Sequence, residues 1–102
     1  MKEVRWTKTA RITLKETSEF ILLVWNDHVK QKFLDQLEFR ISQLQINPEL
    51  GLIIENTNIR RLTIHKTVSL FYTNEQSYIK LLVIWDNRSD PDRLLRKITE
   101  SP

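Results

Sequence analysis

The chain has 102 residues, 40% of them hydrophobic, with one glycine, three prolines and no cysteine. This length suits a single domain over residues 1–102, burying roughly 60–65% of the surface an unfolded chain exposes, and the missing cysteines exclude disulfides, thiolate metal ligands and thiol nucleophiles. Sixteen Lys and Arg against thirteen Asp and Glu leave a formal charge of +3, too mild and too interspersed with acids to mark a nucleic-acid-binding protein by charge alone.

Residues 1–20 carry charges throughout and no continuous apolar stretch, so no secretory signal is expected. The apolar runs FILLVW (Phe20–Trp25) and LLVIW (Leu81–Trp85) fall far short of the ~20 residues that span a bilayer. A soluble, cytoplasmic protein without membrane contact is the expectation. The opening EVRW reads as a short strand with Val4 and Trp6 on one face, after which Thr7 or Thr9 can cap a helix. Ala10, Leu14, Ile21 and Val24 keep to one side of that helix, while Thr17 and Ser18 stand where an apolar residue is due, as a close approach of two helices would require.

Asn26-Asp27 supplies a link and an N-cap for a second helix, from about His28 to Asn47. Its stripe is Val29, Phe33, Leu37, Ile41 and Leu44, with Lys30, Lys32, Gln36, Glu38, Arg40 and Gln43 largely opposite. So short a link predicts an antiparallel αα-hairpin. Pro48 ends the second helix, and Gly51 is expected to take a positive φ in the following turn.

The period then changes. NIRRLTI, TVSLFYT and YIKLLVIW are rich in β-branched and aromatic residues and are separated by HK and NEQS, which predicts an antiparallel meander. One set of faces holds Leu62 and Ile64, then Val68, Leu70 and Tyr72, then Ile79, Leu81, Val83 and Trp85. Leu82 and Ile84 are expected on the opposite side, making the last strand a central one covered on both faces. The order β-α-α-β-β-β gives an α+β fold, with the N-terminal strand and helical hairpin packed on a mainly antiparallel sheet. Asp90 as N-cap, Pro91 at the first helical position and Asp92 in the first turn begin a short C-terminal helix reaching about Ile98. Its Leu94, Leu95 and Ile98 are placed to dock back on the domain or onto a partner. Arg88 occupies the joint between strand and helix, a rigidly held loop of the kind that carries function.

No dinucleotide or P-loop glycine pattern, H-E-x-x-H or His/Cys cluster is present, so neither a cofactor nor a metal is expected. His28 and His65 fall at predicted links and read as surface turn residues without a positioned partner for general-base work. The remaining candidates are cations. Arg60 and Arg61 are adjacent in a strand and point to opposite faces, so one would join the core edge and a carboxylate while the other faces a ligand. Lys66 lies in the next turn, Lys80 on the last strand, and Arg88, Arg93, Arg96 and Lys97 near the C-terminus. Guanidinium groups suit phosphate or carboxylate recognition; the alternative is a set of surface salt bridges to Glu55, Glu75, Asp86 and Asp92.

The order and spacing of several motifs carry more than any one of them. WTKTA entering the first helix, WND between helices, LQINPELG closing the second, then IRRLTI, LFY and VIWDNRSDP together resemble the RelE/ParE superfamily of toxins from bacterial type II toxin–antitoxin pairs, over about Val4 to Leu94. The resemblance implies a small cytoplasmic toxin of the plasmid-stabilization kind, held inactive by a cognate antitoxin and inhibiting growth when released. RelE-like members cut mRNA on the ribosome. On that pattern Arg61, or its neighbour Arg60, and Arg88 match arginines that would stabilise charge on the cleaved phosphate. The histidine or tyrosine that often accompanies them near the last strand has no counterpart among Asp86, Asn87, Ser89, Leu94 and Leu95. ParE-like members poison DNA gyrase without a catalytic residue of their own, and this is the favoured expectation, with Arg60, Arg61, Lys66, Arg88, Arg93 and Arg96 as target contacts. The alternatives are a RelE-like endoribonuclease acting on ribosome-bound mRNA through Arg61 and Arg88, or a non-toxic interaction module that kept the fold.

Overall fold

In the computed structural model, which describes residues 1–100, the elements run β1 (Glu3–Trp6), α1 (Lys8–Val24), α2 (Asp27–Ile46), β2 (Leu52–Ile53), β3 (Ile59–His65), β4 (Val68–Asn74), β5 (Tyr78–Asp86) and α3 (Pro91–Glu100). The α+β architecture is as expected, with one addition. The two-residue β2 pairs with Arg60 and Arg61 and extends the sheet to the order β1-β5-β4-β3-β2, in which only β1 and β5 run parallel. Two residues carry too little period to be legible as a strand beforehand.

The helical hairpin covers one face of the sheet. Ala10, Ile21, Phe33, Leu37 and Leu44 pack there against Leu62, Ile64, Leu70, Tyr72, Ile79 and Ile84. The stripe predicted for α2 is the one it buries, with Val29 and Ile41 half-buried at its margins. Asn26 caps α2 by accepting from Val29 N at 2.9 Å. Near the other end of α2, Gln45 and Lys2 exchange hydrogen bonds of 3.0 and 3.1 Å, tying α2 to the start of β1. The second face of the sheet carries a smaller cluster of Phe71, Leu82, Val83 and Trp85, on which Leu94 and Ile98 of α3 pack while Leu95 stays exposed. Asp90 Oδ1 accepts from Asp92 N at 2.9 Å, as expected of an N-cap.

Membership of the two faces departs from strict alternation. Tyr72 faces Leu81 but Phe71 faces Val83, so Leu82 is an extra residue in β5. A bulge of this kind shifts every later side chain by one position. Val83 and Trp85 therefore lie on the α3 face, away from Ile79 and Leu81, while Ile84 joins the helical face. Both sides of β5 are covered, but by this reversed assignment.

Two threonines, the N-cap of α1 and one in its second turn, bond to the bulged segment. Of the two capping candidates, Thr7 is the N-cap: its hydroxyl accepts from Ala10 N at 3.0 Å and lies 2.8 Å from the Leu81 carbonyl oxygen and 3.2 Å from that of Leu82. Thr13, only 2% exposed, donates to Thr9 O at 2.7 Å and accepts from Ile84 N at 3.0 Å. β1 ends at Trp6 opposite Leu81, and Thr7 N still donates to the Leu81 carbonyl at 3.2 Å; past that point the two hydroxyls serve the Leu82 carbonyl and the Ile84 N–H.

Two further expectations are corrected. Val24 falls on the stripe predicted for α1 but is 54% exposed, because the last turn of the helix lacks a covering layer: Leu22, Leu23 and Trp25 are exposed with it. Ser18, by contrast, is buried in the place where an apolar residue was due. Gly51 does not adopt a positive φ; the left-handed residues are Asn56 (φ 64°) and Lys66 (φ 49°). Its requirement is space, since a Cβ at that position would stand 2.8 Å from both the ring and the hydroxyl of Tyr72. That hydroxyl accepts from Gly51 N at 2.8 Å and donates to Pro48 O at 2.8 Å, fastening the end of the helical hairpin to the sheet.

Two stability effects follow. Thr13→Val keeps the shape of the side chain but strands the Ile84 N–H, and is expected to cost about 1–3 kcal/mol in urea unfolding. Gly51→Ala forces Tyr72 aside and is expected to cost about 1–3 kcal/mol in the same measurement, with no change in helical content by far-UV circular dichroism.

Candidate functional site

The unsupported last turn of α1 overlooks the end of the sheet where the β3–β4 turn meets the β5–α3 joint. Between them lies a cleft of about 320 Å³. Its apolar wall includes Phe20, Trp25 and Val29, and its cations are Lys66, Arg88 and Arg93. Three of the predicted contact residues are thus brought together from turn, joint and helix.

Lys66 lies in the β3–β4 turn in the left-handed conformation, with its Nζ 4.8 Å from the centroid of the Trp25 ring. A non-glycine residue with a positive φ is uncommon, and a cation over an indole face is attracted by the ring quadrupole. The turn and the end of α1 are thereby tied together by a charged group. Beside it, His65 Nδ1 lies 3.0 Å from Gln36 Oε1 while its buried Nε2 has no partner among the described residues. Burial first, then the charges of Lys66 and Lys32, hold the His65 pKa below the usual histidine value, so the neutral ring is favoured at neutral pH. His65 is the half-buried last residue of β3 and not the surface turn residue expected; His28 is exposed in the first turn of α2.

The joint is held rigidly. Asp86 Oδ2 accepts from Arg88 Nη2 at 2.8 Å, and its Oδ1 accepts from Arg88 Nε at 3.1 Å and from Arg88 N at 2.9 Å. These bonds, led by the guanidinium's, hold the Asp86 carboxyl below the usual carboxylate pKa and raise that of Arg88. Asn87 N donates to Thr67 O at 2.7 Å and its side-chain amide to Ser69 Oγ at 3.0 Å, fixing the joint to β4 and the turn before it. Arg93, in the first turn of α3, has its guanidinium carbon 6.0 Å from the Trp85 ring centroid.

The other predicted residues lie elsewhere. Arg61 is exposed and lines a second cleft, of about 520 Å³, beside β2 and α3 with Leu52, Ile53, Phe71 and Leu94. Arg60 points the other way, as adjacent strand residues must. It donates to the carbonyls of Glu49 at 3.2 Å and Gly51 at 2.8 Å, bracing the α2–β2 turn through carbonyl groups, not the carboxylate expected. Arg96 is exposed on α3 and lines neither cleft. Of the acids proposed as salt-bridge partners, Asp86 alone pairs with a cation among the described residues; the other ion pair joins Arg5 to Glu3 at 2.7 Å.

Sequence reasoning missed the apolar wall. Phe20 and Trp25 lie off the stripe predicted for the first helix and belong only to its apolar run, and they are 49% and 54% exposed. The available signal was the run FILLVW, which is apolar all round one helical turn and directly precedes a two-residue link. Among the described residues no group of three or more His, Asp or Glu is placed to hold a metal ion, and no helix is long and apolar enough to cross a membrane.

Comparison with known proteins bears on the whole arrangement. A family model described as "ParE toxin of type II toxin-antitoxin system, parDE" matches residues 4–91, from β1 through the Arg88 joint to the first residue of α3. No curated protein sequence matches significantly. Among solved structures, one titled "Chromosomal ParDE TA system from P. aeruginosa" has a TM-score of 0.70 at 21% identity, covering 82% of this chain and 94% of that one, which establishes likeness of fold. The match runs through the strand, the helical hairpin, the meander and the joint, and the chain belongs to the ParE family of toxins from type II toxin–antitoxin systems within the RelE/ParE superfamily.

Proposed function

We propose that this toxin slows growth in the cytoplasm when released from a cognate antitoxin, and that it acts by poisoning DNA gyrase, without cutting RNA. The observation that carries this reading is the separation and engagement of the two arginines a ribonuclease would need. Arg61 lines one cleft, whereas Arg88 faces the other with its guanidinium paired to Asp86.

Cleavage of RNA by an adjacent 2′-hydroxyl builds negative charge on the phosphate, and it is accelerated by donors converging on that charge. A carboxylate 2.8 Å from the Arg88 guanidinium opposes an incoming phosphate. Proton transfer needs a base within reach of the reacting hydroxyl. The imidazole at the cleft has Nδ1 engaged by Gln36 and Nε2 unpartnered but buried, so neither nitrogen is both unengaged and exposed for that role. A toxin that works by binding a protein needs none of this. It needs exposed apolar and cationic groups on a firm scaffold, and Phe20, Trp25, Lys66 and Arg93 are such groups.

Purified toxin is expected to inhibit supercoiling by gyrase and to accumulate cleaved DNA, leaving ribosome-bound mRNA intact. Arg61→Ala combined with Arg88→Ala is expected to raise the half-inhibitory concentration by about tenfold or less, the scale of lost interface contacts. Loss of a phosphate-stabilising donor would instead cost about 10²–10³-fold in turnover. Cutting of ribosome-bound mRNA with gyrase unaffected would overturn the proposal in favour of a ribonuclease. Normal growth on induction would point to an interaction module that kept the fold.

A further inference from the structure

The formal charge of the whole chain is mild, but it is not spread evenly. Lys2, Arg5, Lys8, Arg11 and Lys15 precede residue 16 against a single acid, Glu3, so a chain of net charge +3 carries +4 in its first fifteen residues and −1 in the remainder. Lys2 donates to Asn74 Oδ1 at 2.6 Å and Arg5 pairs with Glu3 at 2.7 Å, which leaves Lys8, Arg11 and Lys15, all on α1. We propose that these three side chains form a binding stripe for the sugar–phosphate backbone of duplex DNA, apart from the cleft at the other end of the same helix.

Helical spacing brings the three together. At about 100° per residue, positions 8, 11 and 15 fall within about 60° of one another. All three are exposed, on the side of α1 turned away from the buried Ala10, Thr13 and Ile21. A rise of about 1.5 Å per residue gives the stripe a length of about 10 Å, which matches about three phosphate steps along one DNA strand at about 3.4 Å of axis each. Glu19, four residues after Lys15, ends the stripe, and Glu16 lies off it among the residues of the cleft.

Stability does not account for these cations. The positive end of a helix macrodipole favours acids and opposes bases, yet the first turn of α1 contains no acid and begins with Lys8. Arg11 and Lys15 form an i, i+4 pair of like charge, which weakens a helix. The salt bridges among the described residues are Arg5–Glu3 and Arg88–Asp86, so no carboxylate neutralises any of the three. A bound phosphate relieves both penalties, because it brings negative charge to the first half of the helix and screens the repelling pair.

The composition of the stripe selects the partner. Protein interfaces are centred on large apolar or aromatic anchors; between Lys8 and Lys15 there is no aromatic residue, and Ile12, 44% exposed, is the one large apolar side chain reaching solvent. Single-stranded nucleic acid is held by stacking on aromatic rings, which the stripe lacks. The phosphates of a duplex require only cations, and such contacts carry no sequence preference. Phosphate recognition stands on these residues alone, whereas the choice of DNA over duplex RNA rests on the gyrase reading, in which the target itself works on DNA.

The test is fluorescence anisotropy of a short labelled DNA duplex of arbitrary sequence with the full-length chain, without gyrase, over a range of salt. The logarithm of the affinity is expected to fall against the logarithm of salt with a slope of about −3, and Lys8→Gln, Arg11→Gln and Lys15→Gln each to reduce that slope by about 1. The triple glutamine variant should lose the salt-dependent binding while its melting temperature holds or rises. Lys8→Arg/Arg11→Lys/Lys15→Arg should retain binding, and Lys32→Gln/Lys97→Gln, which removes charge from α2 and α3, should leave the slope unchanged. Absence of duplex binding at low salt, or an equal loss in the Lys32→Gln/Lys97→Gln variant, would overturn the proposal. A lower melting temperature in the triple variant would overturn it by assigning the cations to the fold. Tighter binding of duplex RNA, polyglutamate or phosphatidylglycerol vesicles than of DNA would overturn it in favour of that partner. Gyrase inhibition is scored separately: poisoning without duplex binding defeats this inference alone, and duplex binding by a chain that leaves gyrase active defeats the gyrase reading alone.

Discussion

The arrangement of the molecule depends on one extra residue in β5. Leu82 has no opposite number in β4, and the polar groups around it are bonded by two threonines at the start of α1, the N-cap Thr7 at the Leu81 and Leu82 carbonyls through its N–H and hydroxyl and Thr13 at the Ile84 N–H. Those bonds set where α1 starts and how it lies along the strand. Because the helix is rigid, they also set where it ends, and its final turn comes to overlook the β3–β4 turn and the end of β5. The same bulge turns Val83 and Trp85 to the far face. There they form the bed for α3, which begins at once after the joint and delivers Arg93 close to Trp85. Both walls of the candidate site therefore trace back to a single change of register.

Around that frame the cations divide by what they touch. Arg60 is absorbed by two backbone carbonyls and Arg88 by Asp86, while Lys66 and Arg93 approach aromatic rings. A guanidinium bound to a carboxylate presents little net charge to a ligand, whereas one resting on an indole keeps its charge available. Exposed ion pairs contribute little to stability, so the Asp86–Arg88 pair matters chiefly for the shape it imposes on the joint. The candidate site combines an apolar wall with two cations that rest on aromatic rings, beside a joint pinned to β4 by Asn87.

Much of the fold was legible because its signals are local. Periods of 3.6 and 2, Asn26 and Asp90 as caps, and Pro48 and Pro91 as punctuation locate the hairpin, the meander and α3 to within about a residue or two. The misses share a cause: each depends on a distant part of the chain. The bulge at Leu82 reflects pairing with β4 and support from α1, and β2 exists because Arg60 and Arg61 offer it a partner. Gly51 is explained by Tyr72, 21 residues away along the chain, and not by its own backbone angle. Val24 satisfies the helical stripe but overhangs the layer that would have buried it. In the site, Lys66, Arg88 and Arg93 were legible as cations in turns and helix starts, whereas the exposure of Phe20 and Trp25 follows from where the end of α1 outruns its support, which no local pattern shows.

Hydrophobic period, caps and breakers are properties of neighbouring residues, so they suffice to determine an α+β domain of a helical hairpin on a meander, and the order of motifs along it suffices for the superfamily. Which arginine turns outward, which face Trp85 serves, and which charges remain unpaired are relations between residues brought together from separate elements. Those were decided only by folding, because a one-residue shift in β5 moves side chains across a sheet without altering any local pattern that precedes it.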